Sequence, residues 1–245
     1  MFPYKDDNPT LVTPVVTFFL IGLNVAAWVF VQGMGAEPNL SASVCELGLI
    51  PGEVLGRLPP GTAVPGPPSF RCTTGEGSWF TAISSMFLHG GWLHLIGNVW
   101  FLWVFGNNVE DSMGKLRFLL FYLVTGIAAA AAQAAVNPNS AIPMVGASGA
   151  ISGVMGAYVV LYPRVRVHML IFLGIFITRI TVPAIFMLGY WFLLQLLGGL
   201  PTLQRESGGV AFWAHAGGFV AGMVLVLLFR NPRLIEARIA HRLPG

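Results

Sequence analysis

Charge is missing from most of this chain, and the places where it is missing decide what the chain can become. Residues 8–36 carry no Asp, Glu, Lys or Arg over 29 positions, 77–109 none over 33, 118–163 none over 46, 180–204 none over 25 and 207–229 none over 23. A helix crosses the hydrocarbon core of a bilayer with about 20 apolar residues, so each run has room for at least one span. Only 9% of the 245 residues are charged and the mean hydropathy is +0.73, whereas soluble domains carry roughly 25% charged residues. A water-soluble globule is excluded, and an all-α polytopic membrane protein is expected.

The runs resolve into six spans: 11–31, 92–105, 116–135, 144–162, 182–199 and 211–229. The 46-residue run holds two of them, because Asn137, Pro138, Asn139 and Ser140 form a turn cluster with Pro143 just beyond. Residues 168–178 are apolar but too short to cross, and are read as an interfacial or re-entrant piece. The chain then divides into a short cytoplasmic N-terminus (1–10), a six-helix transmembrane domain (11–230) with a large outward loop at about 32–91, and a cytoplasmic tail (231–245). Placing both termini in the cytoplasm puts ten Lys and Arg residues inside and only Arg57, Arg71 and Arg205 outside, the asymmetry that orients inner-membrane proteins. The net charge of +3 is spread over the ends of apolar runs, not gathered in a patch, so no nucleic-acid partner is implied. Cys45 and Cys72 share the outward loop, either as one disulfide or as two free thiols.

Within these spans there is no Asp, Glu or Lys, which argues against proton-relay and cation-transport chemistry. What they do carry is His94 and Asn98 on the second span, Ser148 and Ser152 on the fourth, and His215 on the sixth. Intramembrane polar groups are costly and mark function by default. Because the even-numbered spans all enter from the outer face, these side chains share one shallow depth, with Ser148 about four residues into its helix, on the order of 6 Å below the boundary.

A serine and a neutral imidazole within hydrogen-bond reach form a nucleophile and its base. Gly149 with Gly153, and Gly218 with Gly222, give the fourth and sixth spans small-xxx-small faces that permit the close approach such a pair needs. Gly149→Val is expected to push those two spans apart and abolish activity. His94 and Asn98 lie four apart on one helix face and can aim N–H donors at one point, with the Ser148 backbone N–H as a third donor to an oxyanion. His89 stands five before His94, off its face and with no acidic or Cys neighbour, so it is read as making a structural hydrogen bond in the loop and no metal is expected. His168 and His241 lie away from the cluster and receive no role.

Three ordered motifs carry a resemblance: His94-Leu95-Ile96-Gly97-Asn98, Gly146-Ala147-Ser148-Gly149 and Ala214-His215-Ala216-Gly217-Gly218. Together with Phe105-Gly106-Asn107-Asn108-Val109-Glu110-Asp111 and Tyr190-Trp191-Phe192-Leu193-Leu194-Gln195, they resemble bacterial rhomboid intramembrane serine proteases over essentially the whole chain. The resemblance implies a six-helix rhomboid-like bundle with a Ser148 nucleophile, a His215 base, and His94 and Asn98 as oxyanion donors. No cofactor is implied. It also implies transmembrane protein substrates cut in or near the lipid bilayer at small residues, entering past the fifth helix under a loop at about 200–210 that contains Gly208 and Gly209. Two departures stand out: Trp79-Phe80 replaces the Trp-Arg pair of some members, and Ser152 replaces an aromatic four residues after the nucleophile, so something else has to orient His215.

The reading is therefore an intramembrane serine endopeptidase working through a Ser/His dyad and an acyl-enzyme. Its rivals are a catalytically silent rhomboid-like module that binds membrane proteins, and a transporter. The shared shallow depth and the absence of an internal repeat weigh against the transporter. No sequence signal sets an oligomeric state.

Overall fold

A computed structural model of the chain describes residues 2–66, 70–173, 176–203 and 210–242. Strand β1 (Phe2–Asp6) precedes α1 (Val15–Ala26), which widens into a π-helical turn over Ala27–Val31. The long loop folds into α2 (Asn39–Leu47), α3 (Pro51–Val54), the paired strands β2 (Ala63–Val64) and β3 (Cys72–Thr73), and α4 (Thr81–Ser84). Four elements follow: α5 (Trp92–Met113), α6 (Lys115–Val136), α7 (Ser148–Leu161) and a hairpin of β4 (Arg166–Leu173) and β5 (Phe176–Pro183). The chain continues through α8 (Ala184–Gly199), α9 (Phe212–Phe229) and α10 (Pro232–Arg242).

Helices α1, α5, α6, α7, α8 and α9 are the six expected from the sequence, and the protein is a multi-pass helical membrane bundle. By length and composition alone, α6, α9, and α8 with its continuation to Leu203 can each cross a bilayer. Helix α7 is the axis of the bundle, with every residue from Ala150 to Tyr158 buried. It is flanked by α9, α6 and α5, and its glycines set how near they come. A Cβ on Gly222 would sit 2.0 Å from the Gly153 carbonyl oxygen, and one on Gly218 would sit 2.2 Å from that of Gly149. Seen from α7, a Cβ on Gly156 would meet the Phe219 carbonyl oxygen at 2.1 Å. The Cα–H directions of Gly149 and Gly153 point elsewhere, toward Ala129 and Thr125 of α6. Gly149→Val would therefore strike α6 first, and it is Gly218, Gly222 and Gly156 that bring α7 and α9 together.

Three local features differ from expectation, and one alternative left open is resolved. Residues 168–173 and 176–178 of the short apolar piece are extended, in the paired strands β4 and β5, which β1 joins in a three-stranded antiparallel sheet of order β1-β4-β5. β-branched and aromatic residues spaced through Val165–Val182 favour extended backbone. His168, given no role above, ties this sheet, sharing hydrogen bonds with Asp7 at 2.8 Å and Thr181 at 2.9 Å. That bond holds the Asp7 carboxyl below its ordinary range. Helix α5 runs eight residues past the expected end at 105, to Met113, so it carries two carboxylates after all. Helix α7 begins at Ser148, not 144, because Met144 pairs with Leu49 in a β-bridge and Gly146 adopts φ +126°. Finally, Cys45 and Cys72 are joined in a disulfide that fastens α2 to β3.

The two carboxylates lie at the end of the bundle opposite Ser148 and are fully engaged. Glu110, 1% exposed, accepts the backbone N–H groups of Val16 and Thr17 at 2.9 and 2.7 Å and the Thr17 hydroxyl at 2.8 Å. It thereby fills the unsatisfied first turn of α1 and complements the positive end of its dipole. Asp111, 3% exposed, accepts the Leu11 N–H at 2.9 Å and pairs with Arg238 of α10. The Arg238 guanidinium also donates to Asn8 and Asn108, at 2.8 and 3.0 Å. Asp6 receives the Tyr158 hydroxyl and the Asn108 amide. Both ends of the chain are thus tied to α5 and α7.

Candidate active site

Ser148 is the first residue of α7, and the loop before it is shaped by Gly146. Any side chain at 146 would stand 2.6 Å from Nε2 of His94 and would be strained by the positive φ. Glycine there lets the His94 ring reach the start of α7. Being at a helix N-terminus, Ser148 also presents a backbone N–H that has no partner within the helix.

His215 lies in the first turn of α9, and the glycine contacts described above bring that turn against α7. Its Nε2 is 2.8 Å from the Ser148 Oγ. Its Nδ1 is 2.8 Å from Oε1 of Gln195 on α8. The Trp191 ring, one turn earlier on α8, lies 5.9 Å from the imidazole at 37°. Gln195 and Trp191 supply the orienting contacts that Ser152 does not. Buried in the helix interior, Ser152 donates to the Ser148 carbonyl at 2.6 Å and takes no part in the site.

His94 sits in the first turn of α5, half-buried, with the Gly90 N–H donating to its Nδ1 at 3.3 Å. A ring nitrogen that accepts carries no proton, so the proton of a neutral His94 lies on Nε2, the nitrogen facing Gly146. Asn98 is one turn deeper and 7% exposed, and its Nδ2 has no hydrogen-bond partner. His89 is a structural residue of the loop, as expected, held through its backbone. Its imidazole nitrogens make no hydrogen bond of ordinary geometry, and the ring packs edge-on against His94 at 5.2 Å. Its backbone N–H and C=O are both clamped at 2.8 Å by the Gln32 side chain.

Ser148, His215 and His94 line one cavity of about 810 Å³, with Gln133, Asn137 and Thr202 on its polar wall. No Asp, Glu, Lys or Arg is among the described residues that line it. The polar wall is internally braced: Gln133 donates to Asn137 at 3.0 Å and accepts the Ala214 N–H at 3.2 Å, which fixes the start of α9. Gly208 and Gly209 lie outside the described residues.

Gln133 is not singled out by the sequence reading, and Gln195 enters it only as the last residue of a motif with no role, even though both lie in charge-free runs. The signal was present, since an intramembrane Gln is as costly as an intramembrane Asn.

The fold and this cavity define a multi-pass helical membrane protein with a serine and a histidine in contact at one end. Residues 76–232 match the Rhomboid domain, and the chain belongs to the rhomboid family. It is 35% identical over 160 residues to the rhomboid protease GluP of Bacillus subtilis, covering 64% of this chain and 27% of that protein. It is 37% identical over 83 residues to the putative rhomboid protease YdcA of the same organism, 34% of this chain and 41% of that one. A third relative, RHOMBOID-like protein 5 of Arabidopsis thaliana, is 30% identical over 175 residues, 65% of this chain and 50% of that protein. The matched region spans between 27% and 50% of the length of these three relatives.

Proposed function

We propose that this chain is an intramembrane serine endopeptidase that hydrolyses peptide bonds in or near transmembrane segments of other membrane proteins. The observation that carries the reading is the 2.8 Å contact between Ser148 Oγ and His215 Nε2 within a cavity large enough for an extended peptide segment. As the Ser148 oxygen attacks the scissile carbonyl carbon, His215 Nε2 takes the hydroxyl proton. The carbonyl oxygen becomes an oxyanion, for which His94 Nε2–H, the Asn98 amide and the Ser148 backbone N–H are the donors. Collapse breaks the C–N bond, and the imidazolium gives its proton to the departing amine. Water from the cavity then adds to the acyl carbon of the acyl-enzyme, His215 taking the water proton, and as the Ser148 ester bond breaks the imidazolium returns that proton to the Ser148 oxygen, releasing the acid and restoring the dyad.

In the bilayer the cavity opens to the outer side, both termini are cytoplasmic, and the membrane is the inner membrane. The ten-to-three distribution of basic residues supports this orientation, as does the disulfide, which persists on an oxidising face. Relatives named as proteases support the reaction class. The test is cleavage of a single-span substrate in liposomes by wild type, Ser148→Ala and His215→Ala, with fluorophosphonate labelling alongside. Wild type alone should cleave and label, with each variant slower by at least about a thousandfold. A folded wild type that neither cleaves nor labels points instead to a silent membrane-protein-binding module.

A further inference from the structure

We propose that Gln195 is a positioning residue: it fixes His215 in the tautomer that can accept the Ser148 proton, and so makes the seating of α8 a condition for activity. This inference rests on the protease reading above and concerns how its base is held. An amide side chain has one accepting end and one donating end, and which end faces His215 decides the outcome. Gln195 Nε2 lies 3.3 Å from the Trp191 carbonyl oxygen, one turn back along α8. A backbone carbonyl only accepts, so the NH₂ end belongs there and the oxygen faces the imidazole. That oxygen, 2.8 Å from Nδ1, only accepts as well, so Nδ1 carries the proton. The lone pair of a neutral imidazole is then on Nε2, directed at the Ser148 hydroxyl 2.8 Å away. The opposite tautomer would aim an N–H at Ser148 and leave no base.

This chain of four groups depends on α8 and nothing else for its outermost link. Gln195 is 9% exposed, whereas Phe186, Tyr190, Leu193 and Leu197 on other faces of the same helix are between 48% and 70% exposed. Helix α8 is held against the start of α9 by glycines at its end: a Cβ on Gly198 would lie 2.4 Å from the Phe212 ring, and one on Gly199 would lie 3.0 Å from that of Trp213. A displacement of α8 draws the Gln195 oxygen from Nδ1 and frees the ring to change tautomer. What the place requires is an acceptor facing Nδ1: besides His215 itself, the only titratable group among the described cavity-lining residues is His94, so a carboxylate at 195 would take its counter-charge from the His215 imidazolium that forms as Ser148 gives up its proton.

The test measures kcat, KM and the fluorophosphonate labelling rate for wild type, Ser148→Ala, Gln195→Leu and Gln195→Glu in the same liposomes. Gln195→Leu keeps the volume but removes the acceptor. Its kcat and labelling rate should fall about tenfold to a hundredfold, the effect of losing one buried hydrogen bond to a group that becomes charged, with KM unchanged. Gln195→Glu restores an acceptor and should recover activity to within about fivefold of wild type, a rescue that a packing role would not produce. Gln195→Leu at wild-type kcat and labelling rate, or Gln195→Glu as slow as Gln195→Leu, overturns the proposal while an active wild type leaves the dyad standing. If Gln195→Leu does not fold, the rescue arm decides alone, since Gln195→Glu below a tenth of wild-type kcat also overturns it. Failure of the protease reading looks different: wild type itself is then as inactive as Ser148→Ala.

Discussion

The two ends of the bundle are built from opposite materials. At the end away from Ser148, Glu110, Asp111 and Arg238 are all nearly inaccessible and each has several partners. At the Ser148 end, the polar side chains among the described residues lining the cavity of about 810 Å³ are imidazoles, amides and hydroxyls. The difference follows from what a low-dielectric interior permits. A buried charge is tolerated only in a closed network, because losing one partner leaves an uncompensated ion. A closed network has no room for a substrate. Neutral polar groups, by contrast, can stand with an unmade hydrogen bond, as Asn98 Nδ2 does, at a cost of only about 1–3 kcal/mol. One end fixes the helices, and the other keeps an open cavity and an unmade hydrogen bond, as the proposed protease function requires.

The comparison breaks most violently where the helices that serve both ends touch. Gly222→Val puts side-chain atoms where the Gly153 carbonyl oxygen stands, 2.0 Å from the Cβ position. Neither helix backbone can yield by that much, so α7 and α9 must separate. Cleavage and labelling are expected to vanish, and the melting temperature in detergent to fall by ten degrees or more on the order of a core overpacking penalty. A Gly222→Val protein with full activity would refute the close-approach account of the dyad.

Arg238→Met separates the two ends instead of joining their fates. It strands Asp111 and should destabilise the protein by about 3–5 kcal/mol, read as the unfolding midpoint in a denaturing detergent titration. The labelling rate of the folded fraction should stay within about twofold of wild type, since Asp111, Asn8 and Asn108, to which Arg238 donates, all lie at the end away from the cavity. Asn98→Ala is the mirror experiment: activity down by about 10²–10³ if Asn98 is an oxyanion donor, with the unfolding midpoint unchanged or raised. Should the two variants affect stability equally, the division between a fixing end and a working end fails.

The working end was far more legible in the sequence than the fixing end, and the reasons are physical. Polar groups in charge-free runs are conspicuous, so Ser148, His215, His94 and Asn98 stood out, and the helices carrying them follow from apolar length alone. Gln195 did not stand out because its work depends on which rotamer meets Nδ1 across a helix interface, and spacing along one helix does not encode that. The start of α7 was misplaced because apolarity continues through Pro143–Ala147 while the backbone is held extended by Leu49 and Gly146. At the other end, Asn107-Asn108 followed by Glu110 and Asp111 reads as a helix terminus facing water. Only the partners arriving from Thr17, Asp6 and Arg238, as many as 130 residues away, let α5 continue through them. The hairpin was missed for a related reason: its alternation is weak on its own, and β1 pairs with β4 across the length of the bundle sequence.

The smallest effect tests whether the fixing end is as fully compensated as it looks. Asp6 is a carboxylate there whose burial outweighs its compensation: burial pushes its pKa up to about 6, against weaker lowering by the Tyr158 hydroxyl and by Arg238. A carboxyl whose pKa is higher folded than unfolded takes up a proton on folding between the unfolded value, 3.8, and about 6. Its contribution to stability is therefore complete below the unfolded value and is lost as pH rises through about 6. Asp6→Asn keeps an acceptor for Tyr158 and removes the titration. Wild type minus variant, measured as unfolding midpoint from pH 7.5 down to pH 4.5, should move in favour of wild type as pH falls, by at most about 3 kcal/mol. A difference that is flat across that window, or that moves against wild type, would mean that the hydrogen bonds and charge around Asp6 fully offset its burial.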